Sequence, residues 1–339
     1  MRRIGIAVVG LGAAVTPHAR SLVDLADRVD VVWAASRSEE KTRAFAARFP
    51  FPVTTDVDAA IADPRVEAVM VLTPPAAHLE VAGKAFAAGR HVLVEKPLEL
   101  TTAKAERLVA AGRAAGKRLA VTLQHRFRPA SRRLAVLVAD GSLGPIEAAL
   151  AIVPWWRPQG YYDEPGRGTL ARDGGGVLLT QAIHTLDLFR ALVGGVERVE
   201  AAQVATTGIH RMETEDWASA LLRLRNGAPA TVIATTAAYP GTTERIEILA
   251  RHGSARIEGG SLTVAWHDGR TEAVKDTAEV GAGAAFMDFP NDAHRALLAD
   301  FLDAIEEDRD PLVPGEDALA TQQLVDAILA AGARTRNGA

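Results

Sequence analysis

Two side chains that can carry a proton occupy positions where the sequence predicts chemistry. Lys96 closely follows a buried strand, predicted over 91–94, at the carboxyl edge of a parallel sheet, where open α/β folds bind their ligands. A partly buried ammonium group there can donate a hydrogen bond to a substrate oxygen or relay a proton. An ordinary lysine at the end of a strand is the alternative interpretation.

A histidine on a later predicted helix offers complementary chemistry. His184 follows three glycines at 174–176, with Thr180 four residues before it and Asp187 three residues after it. On a helix these positions share one face. Because histidine titrates near neutral pH, His184 can take a hydroxyl proton, while Asp187 orients the ring or, like Thr180, contacts a substrate. A helix histidine satisfied by a neighbouring carboxylate is the structural alternative.

Aromatic residues follow the first predicted strand of the second half. They are Trp155, Trp156, Tyr161 and Tyr162, together with Arg157. Aromatic faces beside a guanidinium suit a sugar ring that carries an anionic group, so Arg157 and Tyr161 are candidate substrate contacts. A packed aromatic cluster or a subunit contact explains the same composition equally well.

A glycine pair between the first predicted strand and the first predicted helix is the candidate cofactor site. In this position the first glycine allows a tight turn, and the second lets backbone N–H groups approach a pyrophosphate. The third glycine of the G-x-G-x-x-G pattern is replaced by Val15, and a simple strand-to-helix turn is the alternative. The predicted contacts are Gly10, Leu11, Gly12, Ala13 and Ala14.

The end of the second predicted strand bears on the choice between NAD and NADP. A ribose 2′-hydroxyl favours a carboxylate there, and a 2′-phosphate favours a cation with small hydrogen-bonding groups. This chain has Ser36 and Arg37 and no acid at the strand tip. We therefore expect NADP to be slightly favoured over NAD, with a surface Ser-Arg loop as the alternative.

The elements that position these residues change character near residue 124. Residues 1–123 alternate apolar strands with helices, which predicts a doubly wound parallel sheet and a dinucleotide-binding Rossmann domain. Its strands are predicted over 4–9, 29–35, 66–72, 91–94 and 119–123, and its helices over 17–27, 39–49, 78–89 and 101–115.

Residues 124–339 predict a second domain, for substrate binding and oligomerisation, whose last helix packs back on the Rossmann domain. Short turns join its strands, which indicates an antiparallel sheet; residues 271–289 read as a long loop. Its strands are predicted over 146–153, 199–205, 217–224, 230–237, 245–250, 255–257 and 262–266, and its helices over 176–192, 292–307 and 316–331.

Composition removes several functional classes. The net charge of -4 gives no reason to expect nucleic acid binding, and no apolar run approaches the length of a membrane span. The chain has no cysteine, so disulfides and thiolate chemistry are excluded. The scattered histidines and the absence of a metal-binding or G-x-S-x-G motif predict no metal site and no serine hydrolase. We expect a cytoplasmic protein.

Four short segments, taken in order, resemble the Gfo/Idh/MocA family, named for glucose–fructose oxidoreductase, inositol dehydrogenase and a rhizopine-catabolism protein. The order and spacing match along nearly the whole chain. The segments are Gly10-Leu11-Gly12 with His18, Thr73-Pro74-Pro75-Ala76-Ala77-His78, Glu95-Lys96-Pro97, and Gly174-Gly175-Gly176 with His184 and Asp187.

This resemblance implies a Rossmann domain followed by an α/β domain with a large, mostly antiparallel sheet. It implies that the open face of that sheet packs against a partner subunit, giving a homodimer or homotetramer. It also places Glu95 and Lys96 beside the nicotinamide, with a cis bond between Lys96 and Pro97. The residues expected along the dinucleotide are Leu72, Thr73, Pro74, Pro75 and His78, and Gln124 at the end of the last Rossmann strand.

One departure from the family pattern concerns the substrate. Many members carry an acid where this chain has Thr180, and the chain resembles the branch with Asn or Thr, which includes enzymes acting on nucleotide-linked sugar acids. The resemblance implies hydride transfer between NAD(P) and a secondary alcohol of a sugar, cyclitol or sugar acid, with His184 as base and Lys96 assisting. An NAD-dependent glycosidase and a non-catalytic NAD(P)-binding regulator are the alternatives.

Overall fold

The computed structural model describes residues 2–275 and 290–337. The chain divides into two compact units. The first contains Met1–Gln124 and Met287–Leu319, and the second contains His125–Phe286 and Ala320–Ala339. Residues 287–319, which the sequence analysis grouped with the second domain, therefore belong to the first unit.

The first unit is built on a six-stranded parallel sheet, as the alternating pattern predicts. Its strand order is β3-β2-β1-β4-β5-β6, so the order reverses between β1 and β4, and ligands of doubly wound folds bind at such a point. All six residues of β1 are buried, because both faces of a parallel sheet are covered. The strands are β1 (Ile4–Val9), β2 (Val29–Ala35), β3 (Val53–Thr54), β4 (Ala68–Val71), β5 (His91–Val94) and β6 (Leu119–Val121).

The second unit is built on an eight-stranded sheet in the order β14-β13-β12-β11-β7-β10-β9-β8. Only β7 and β10 pair in parallel, so the predicted mostly antiparallel sheet and the α/β fold class are confirmed. The strands are β7 (Ile146–Pro154), β8 (Val196–Ala205), β9 (Trp217–Leu224), β10 (Pro229–Thr235), β11 (Arg245–Ala250), β12 (Gly253–Glu258), β13 (Ser261–Trp266) and β14 (Thr271–Val274).

The two faces of this second sheet differ. Ala149, Ala151 and Val153 of β7 are buried, while the residues between them are only half-buried. Leu221 of β9 and Leu249 of β11 are exposed by 56% and 44%. One face therefore packs on helices, and the other presents apolar side chains that the described part of the chain leaves partly uncovered.

Each predicted helix has a counterpart in the structure, but the helices Val57–Ala62, Pro129–Ala139, Gln159–Tyr162 and Leu170–Asp173 were not predicted. Two further differences concern residues 176–192 and 271–289. The predicted helix over 176–192 is broken, since Gln181 leaves the helical conformation (φ -125°, ψ -53°). The predicted loop over 271–289 begins with β14, and residues 276–289 lie outside the described part of the chain. The helices are α1 (Val15–Asp24), α2 (Glu39–Ala46), α3 (Val57–Ala62), α4 (His78–Ala87), α5 (Thr102–Ala114), α6 (Pro129–Ala139), α7 (Gln159–Tyr162), α8 (Leu170–Asp173), α9 (Val177–Thr180), α10 (Ile183–Leu192), α11 (Asp292–Glu306) and α12 (Gly315–Asn337).

Local capping explains where several helices of the first unit begin. The side chains of Ser38, Asp56 and Thr101 accept hydrogen bonds from backbone N–H groups at the starts of α2, α3 and α5. The N-cap residue of α1, Ala14, gives no such cap, and the Val15 N–H donates instead to the Gly12 carbonyl oxygen at 3.2 Å. Among the described residues, no helix has the length and apolar character that crossing a membrane requires.

Candidate active site

The turn after β1 is shaped by the close approach of two backbones. Gly10 has φ +106°, and a Cβ there would lie 2.5 Å from the carbonyl carbon of Leu72. No L side chain fits this space, so glycine at position 10 is a requirement of the fold. Gly12 is different, because none of the described residues has an atom within 4 Å of a Cβ placed there.

The open space at Gly12 lies directly before the uncapped start of α1. Ala13 and Ala14 are exposed and Leu11 is buried, so small side chains leave the backbone accessible. A helix N-terminus with unused N–H groups favours an anion such as a pyrophosphate. Glycine at position 12 therefore fits a ligand that approaches the backbone closely.

Buried polar atoms at two other predicted cofactor positions support the same ligand. Thr73 Oγ1 and Gln124 Oε1 are buried and have no hydrogen-bond partner in the described part of the chain. A buried polar group without a partner is costly unless a ligand or water satisfies it. These residues, with the space at Gly12, fit the dinucleotide that the fold implies.

His78, which the resemblance places along the dinucleotide, contacts two loops of the first unit. Its side chain is fully buried, with Nε2 2.9 Å from the Thr73 carbonyl oxygen and Nδ1 3.1 Å from the Pro97 carbonyl oxygen. The ring therefore joins the Thr73–Pro75 loop to the loop after β5. Burial disfavours the charged ring and lowers the pKa of His78, although the carbonyl contacts act in the opposite direction.

Glu95 lies at the centre of the loop after β5. One of its oxygens is 2.6 Å from His18 Nε2 of α1, and the other accepts the Lys96 backbone N–H at 3.1 Å. Burial acts to raise the pKa of Glu95, but the hydrogen bond from His18 and the charges of His18, Lys96 and His294 outweigh it and hold the pKa below its usual range. The Lys96–Pro97 bond is cis, as the resemblance implied.

Ser36 and Arg37 follow β2, as predicted. The Arg37 guanidinium is 74% exposed and lies 3.2 Å from a Glu80 carboxylate oxygen. An exposed ion pair of this kind contributes little to the stability of the fold. The Arg37 guanidinium therefore stays accessible at the tip of the second strand.

In the second unit, His184 lies on α10 and its ring stacks on that of His125, with centroids 4.9 Å apart. Thr180 is not one turn before His184 on a continuous helix, because the break at Gln181 separates α9 from α10. The Thr180 hydroxyl instead donates to the Gly176 carbonyl oxygen at 2.7 Å.

Asp187 belongs to a buried ion pair. Its two oxygens accept hydrogen bonds from Arg126 Nε and Nη2, each at 2.6 Å, and Thr321 Oγ1 donates to it at 2.9 Å. The carboxylate is fully buried, so the predicted substrate contact through Asp187 does not agree with this geometry. A bidentate pair of this kind fixes α10, which carries His184.

The three consecutive glycines bring the chain against a buried acid. A Cβ at Gly176 would lie 1.9 Å from the Glu215 carbonyl oxygen. The Glu215 carboxylate accepts the N–H groups of Gly176 and Leu178 and thereby caps α9. Burial raises the pKa of Glu215, although these N–H groups and that of Glu215 itself act to lower it.

The aromatic segment forms a cluster around two guanidinium groups. Arg157 lies over Trp155 and Tyr161, at 5.3 and 5.6 Å from the ring centroids. Arg167, which the sequence analysis did not select, lies 4.3 Å from the Tyr161 centroid and donates to its hydroxyl. Burial lowers the pKa of Arg157. Tyr161 and Tyr162 act to raise this pKa, while the charge of Arg167 acts to lower it further.

A doubly wound sheet with this glycine turn, together with a second unit that carries a positioned histidine, defines a dinucleotide-dependent oxidoreductase. The family model described as an oxidoreductase family with an NAD-binding Rossmann fold matches residues 4–123, and the GFO/IDH/MocA C-terminal domain matches residues 131–256. The chain belongs to the Gfo/Idh/MocA family of oxidoreductases, and the resemblance stated from its motifs is confirmed.

Relatives along most of the chain are named as dehydrogenases and reductases of sugars and cyclitols. The myo-inositol 2-dehydrogenase of Thermotoga maritima is 26% identical over 92% of this chain and 91% of its own length. The 1,5-anhydro-D-fructose reductase of Ensifer adhaerens is 28% identical over 86% of this chain and 85% of its own. The WlbA dehydrogenase of Bordetella pertussis, solved with NADH and UDP-GlcNAcA, is 28% identical with a TM-score of 0.83, covering 100% of this chain and 98% of that one.

The two glycines of the turn predict opposite phenotypes. Gly10→Ala collides with the Leu72 backbone, so we expect a loss of roughly 1–3 kcal/mol in the free energy of unfolding. The added methyl group of Gly12→Ala meets no atom in the described part of the chain, so the free energy of unfolding should stay within about 0.5 kcal/mol of the original. NADH and NADPH should bind at least tenfold more weakly, a loss of about 1.4 kcal/mol. Denaturant unfolding and fluorescence titration measure both. Unchanged cofactor affinity in Gly12→Ala would contradict the assigned site.

The buried ring of His78 predicts a pH-dependent stability. Its pKa in the folded protein lies below the ordinary value of about 6.5, so its contribution is present above that pH and is lost as the pH falls below it. One titrating group changes the free energy of unfolding by at most about 1.4 kcal/mol per pH unit. His78→Gln should be less sensitive than the original protein between pH 7.5 and about 5, measured by denaturant unfolding. Parallel curves for the two proteins would show that His78 carries no such linkage.

Proposed function

We propose that this protein transfers a hydride between C4 of a nicotinamide cofactor and a secondary alcohol or ketone carbon of a sugar, cyclitol or sugar acid. The space at Gly12, in front of the start of α1, which Ala14 leaves without a side-chain cap, carries the proposal, because none of the described residues requires a glycine there. The bound nicotinamide supplies the hydride acceptor or donor.

His184 is the proposed general base in oxidation and general acid in reduction. The Arg126–Asp187 pair holds its helix, and the His125 ring stacks on it, so the imidazole is presented from a fixed backbone. A base held by packed side chains loses little entropy when it engages a hydroxyl group.

Lys96 is the proposed hydrogen-bond donor to the substrate oxygen. Its backbone is held by Glu95, which is itself held by His18. An amine held at this position donates a hydrogen bond to a substrate carbonyl oxygen and polarises it as the hydride arrives.

A sugar-like substrate is supported by the aromatic cluster of the second unit as well as by the relatives' names. Trp155 Nε1 is buried without a hydrogen-bond partner in the described residues, and the Arg157 and Arg167 guanidinium groups share the Tyr161 ring. Aromatic faces suit a pyranose ring, and paired cations suit a carboxylate or phosphate. We therefore propose Arg157 and Tyr161 as substrate contacts, together with Thr180.

The reaction can be tested with a panel of sugars, inositols and sugar acids in the presence of NAD⁺ and NADP⁺. We expect a rise in reduced cofactor with one of these compounds, and a loss of about 10²- to 10⁴-fold in kcat for His184→Ala and for Lys96→Met. His252→Ala, which removes an exposed histidine of the second unit, is the matched control.

Turnover that survives within severalfold in His184→Ala would show that this histidine does not transfer the proton. Cleavage of a glycoside without net change in the cofactor would instead indicate the glycosidase activity.

We propose that the cofactor is NADP in preference to NAD. Arg37 lies exposed after β2 with Ser36 beside it, and a charge-assisted bond to a 2′-phosphate contributes about 1.5–3 kcal/mol. Arg37→Ala should therefore weaken NADPH binding by about tenfold or more and leave NADH binding unchanged. Arg43→Ala, an exposed arginine of α2, is the control. Equal effects on both cofactors would exclude a 2′-phosphate contact.

We also propose that the protein is a homodimer or homotetramer assembled through the open face of the second sheet. Leu221 and Leu249 are exposed on this face, and half-buried Leu150, Ile152 and Ile233 line a shallow depression of about 420 Å³ beside them. An uncovered apolar patch of this kind favours association. Sedimentation velocity should show a dimer or larger, and a monomer at all concentrations would contradict the proposal.

A further inference from the structure

Three potential metal ligands meet in the first unit. They are His18 of α1, Glu95 after β5 and His294 of α11, and one ligand atom from each lies within 4.8 Å of the other two. The rings of His18 and His294 are nearly perpendicular, with centroids 5.1 Å apart. The sequence predicts no metal site, because these residues are far apart in the chain and follow no motif.

Packing between α1 and α11 brings the two histidines together. Asn291, directly before α11, donates from Nδ2 to Asp24 at 2.8 Å and to Ser21 at 3.3 Å. At the other end of the pair, Arg28 lies 2.7 Å from Asp303 and 2.8 Å from Glu306. The position of His294 relative to His18 is therefore fixed by polar contacts on both sides, so the cluster is largely preorganised.

The chemistry of the three groups is that of a transition-metal site. Two imidazole nitrogens and one carboxylate form a common ligand set for zinc and related divalent ions, and three protein ligands leave a position open for water. The side chains of His18 and Glu95 are only 2% and 12% exposed, so the ligands are already largely desolvated.

The required movement is small. His18 Nε2 and the Glu95 oxygen are 2.6 Å apart, whereas two ligands of a tetrahedral zinc ion, at bond lengths of 2.0–2.2 Å, lie about 3.4 Å apart. An ion entering the cluster replaces the proton shared by this pair, and the displaced proton passes to solvent. The nearby Lys96 charge opposes a cation, so we expect weaker binding than at structural sites with four protein ligands.

We propose that His18, Glu95 and His294 form a binding site for a divalent transition-metal ion of the zinc or cobalt type. The site goes beyond the proposed hydride transfer and depends on neither cofactor nor substrate. Glu95 directly precedes Lys96, so occupancy of the site would act on the loop that the proposed reaction uses.

The test titrates chelator-treated protein, without cofactor, with Co²⁺ and follows the visible d–d absorption. We expect saturable binding of one ion per chain, displacement by Zn²⁺, and an affinity at least about tenfold lower in His294→Ala. His294→Asn is a second variant in case the alanine protein is poorly folded, and circular dichroism checks both. His252→Ala, an exposed histidine of the other unit, should bind like the original.

Absence of d–d bands, or binding that both His294 variants leave unchanged, would overturn the proposal. NADPH titration of the same preparations reports separately on the proposed function, because loss of metal binding with intact cofactor binding rejects only the metal site.

Discussion

The close approach of the Gly10 backbone to Leu72 is the constraint on which the first unit depends. It brings the end of β1 against the end of β4 at the point where the strand order reverses. Because no side chain fits between them, the chain must turn sharply there before α1 begins. The open space at Gly12 and the buried Thr73 Oγ1 follow these two strands in the chain, and both favour a dinucleotide.

Buried charges are used in the same way in both units. Glu95 is held by His18 and lies beneath Lys96 in the first unit, and Asp187 is held by Arg126 and Thr321 beneath His184 in the second. A buried carboxylate is tolerated only when it is fully hydrogen-bonded. Each ion pair thus fixes the backbone that presents a proton-carrying side chain. Glu95 positions Lys96 in this way, and Asp187 positions His184.

The sequence was sufficient to predict those parts of the fold that a local pattern of residues determines. The buried run of β1 and the glycine turn each depend on residues close together in the chain, and the apolar periodicity marked most of the longer helices and strands. The family resemblance added the cis Lys96–Pro97 bond and the large second sheet.

The structural features that the sequence did not predict depend on contacts between residues far apart in the chain. Nothing near His78 shows that its ring is buried between the Thr73 and Pro97 carbonyl groups. The cap of α9 comes from Glu215, which is 39 residues from Gly176, and the partners of Asp187 include Thr321 from near the end of the chain. Likewise, nothing in the sequence shows that His294 and His18 lie close together in the folded chain.

The central claim is that a nicotinamide dinucleotide lies on the turn between β1 and α1. A crystal structure of the protein grown with NADPH tests it most directly. The account predicts pyrophosphate density against the backbone N–H groups that follow Gly12, the 2′-phosphate beside Arg37 and the nicotinamide beside Lys96. A cofactor bound elsewhere, or a turn that stays empty at saturating NADPH and NADH, would contradict it.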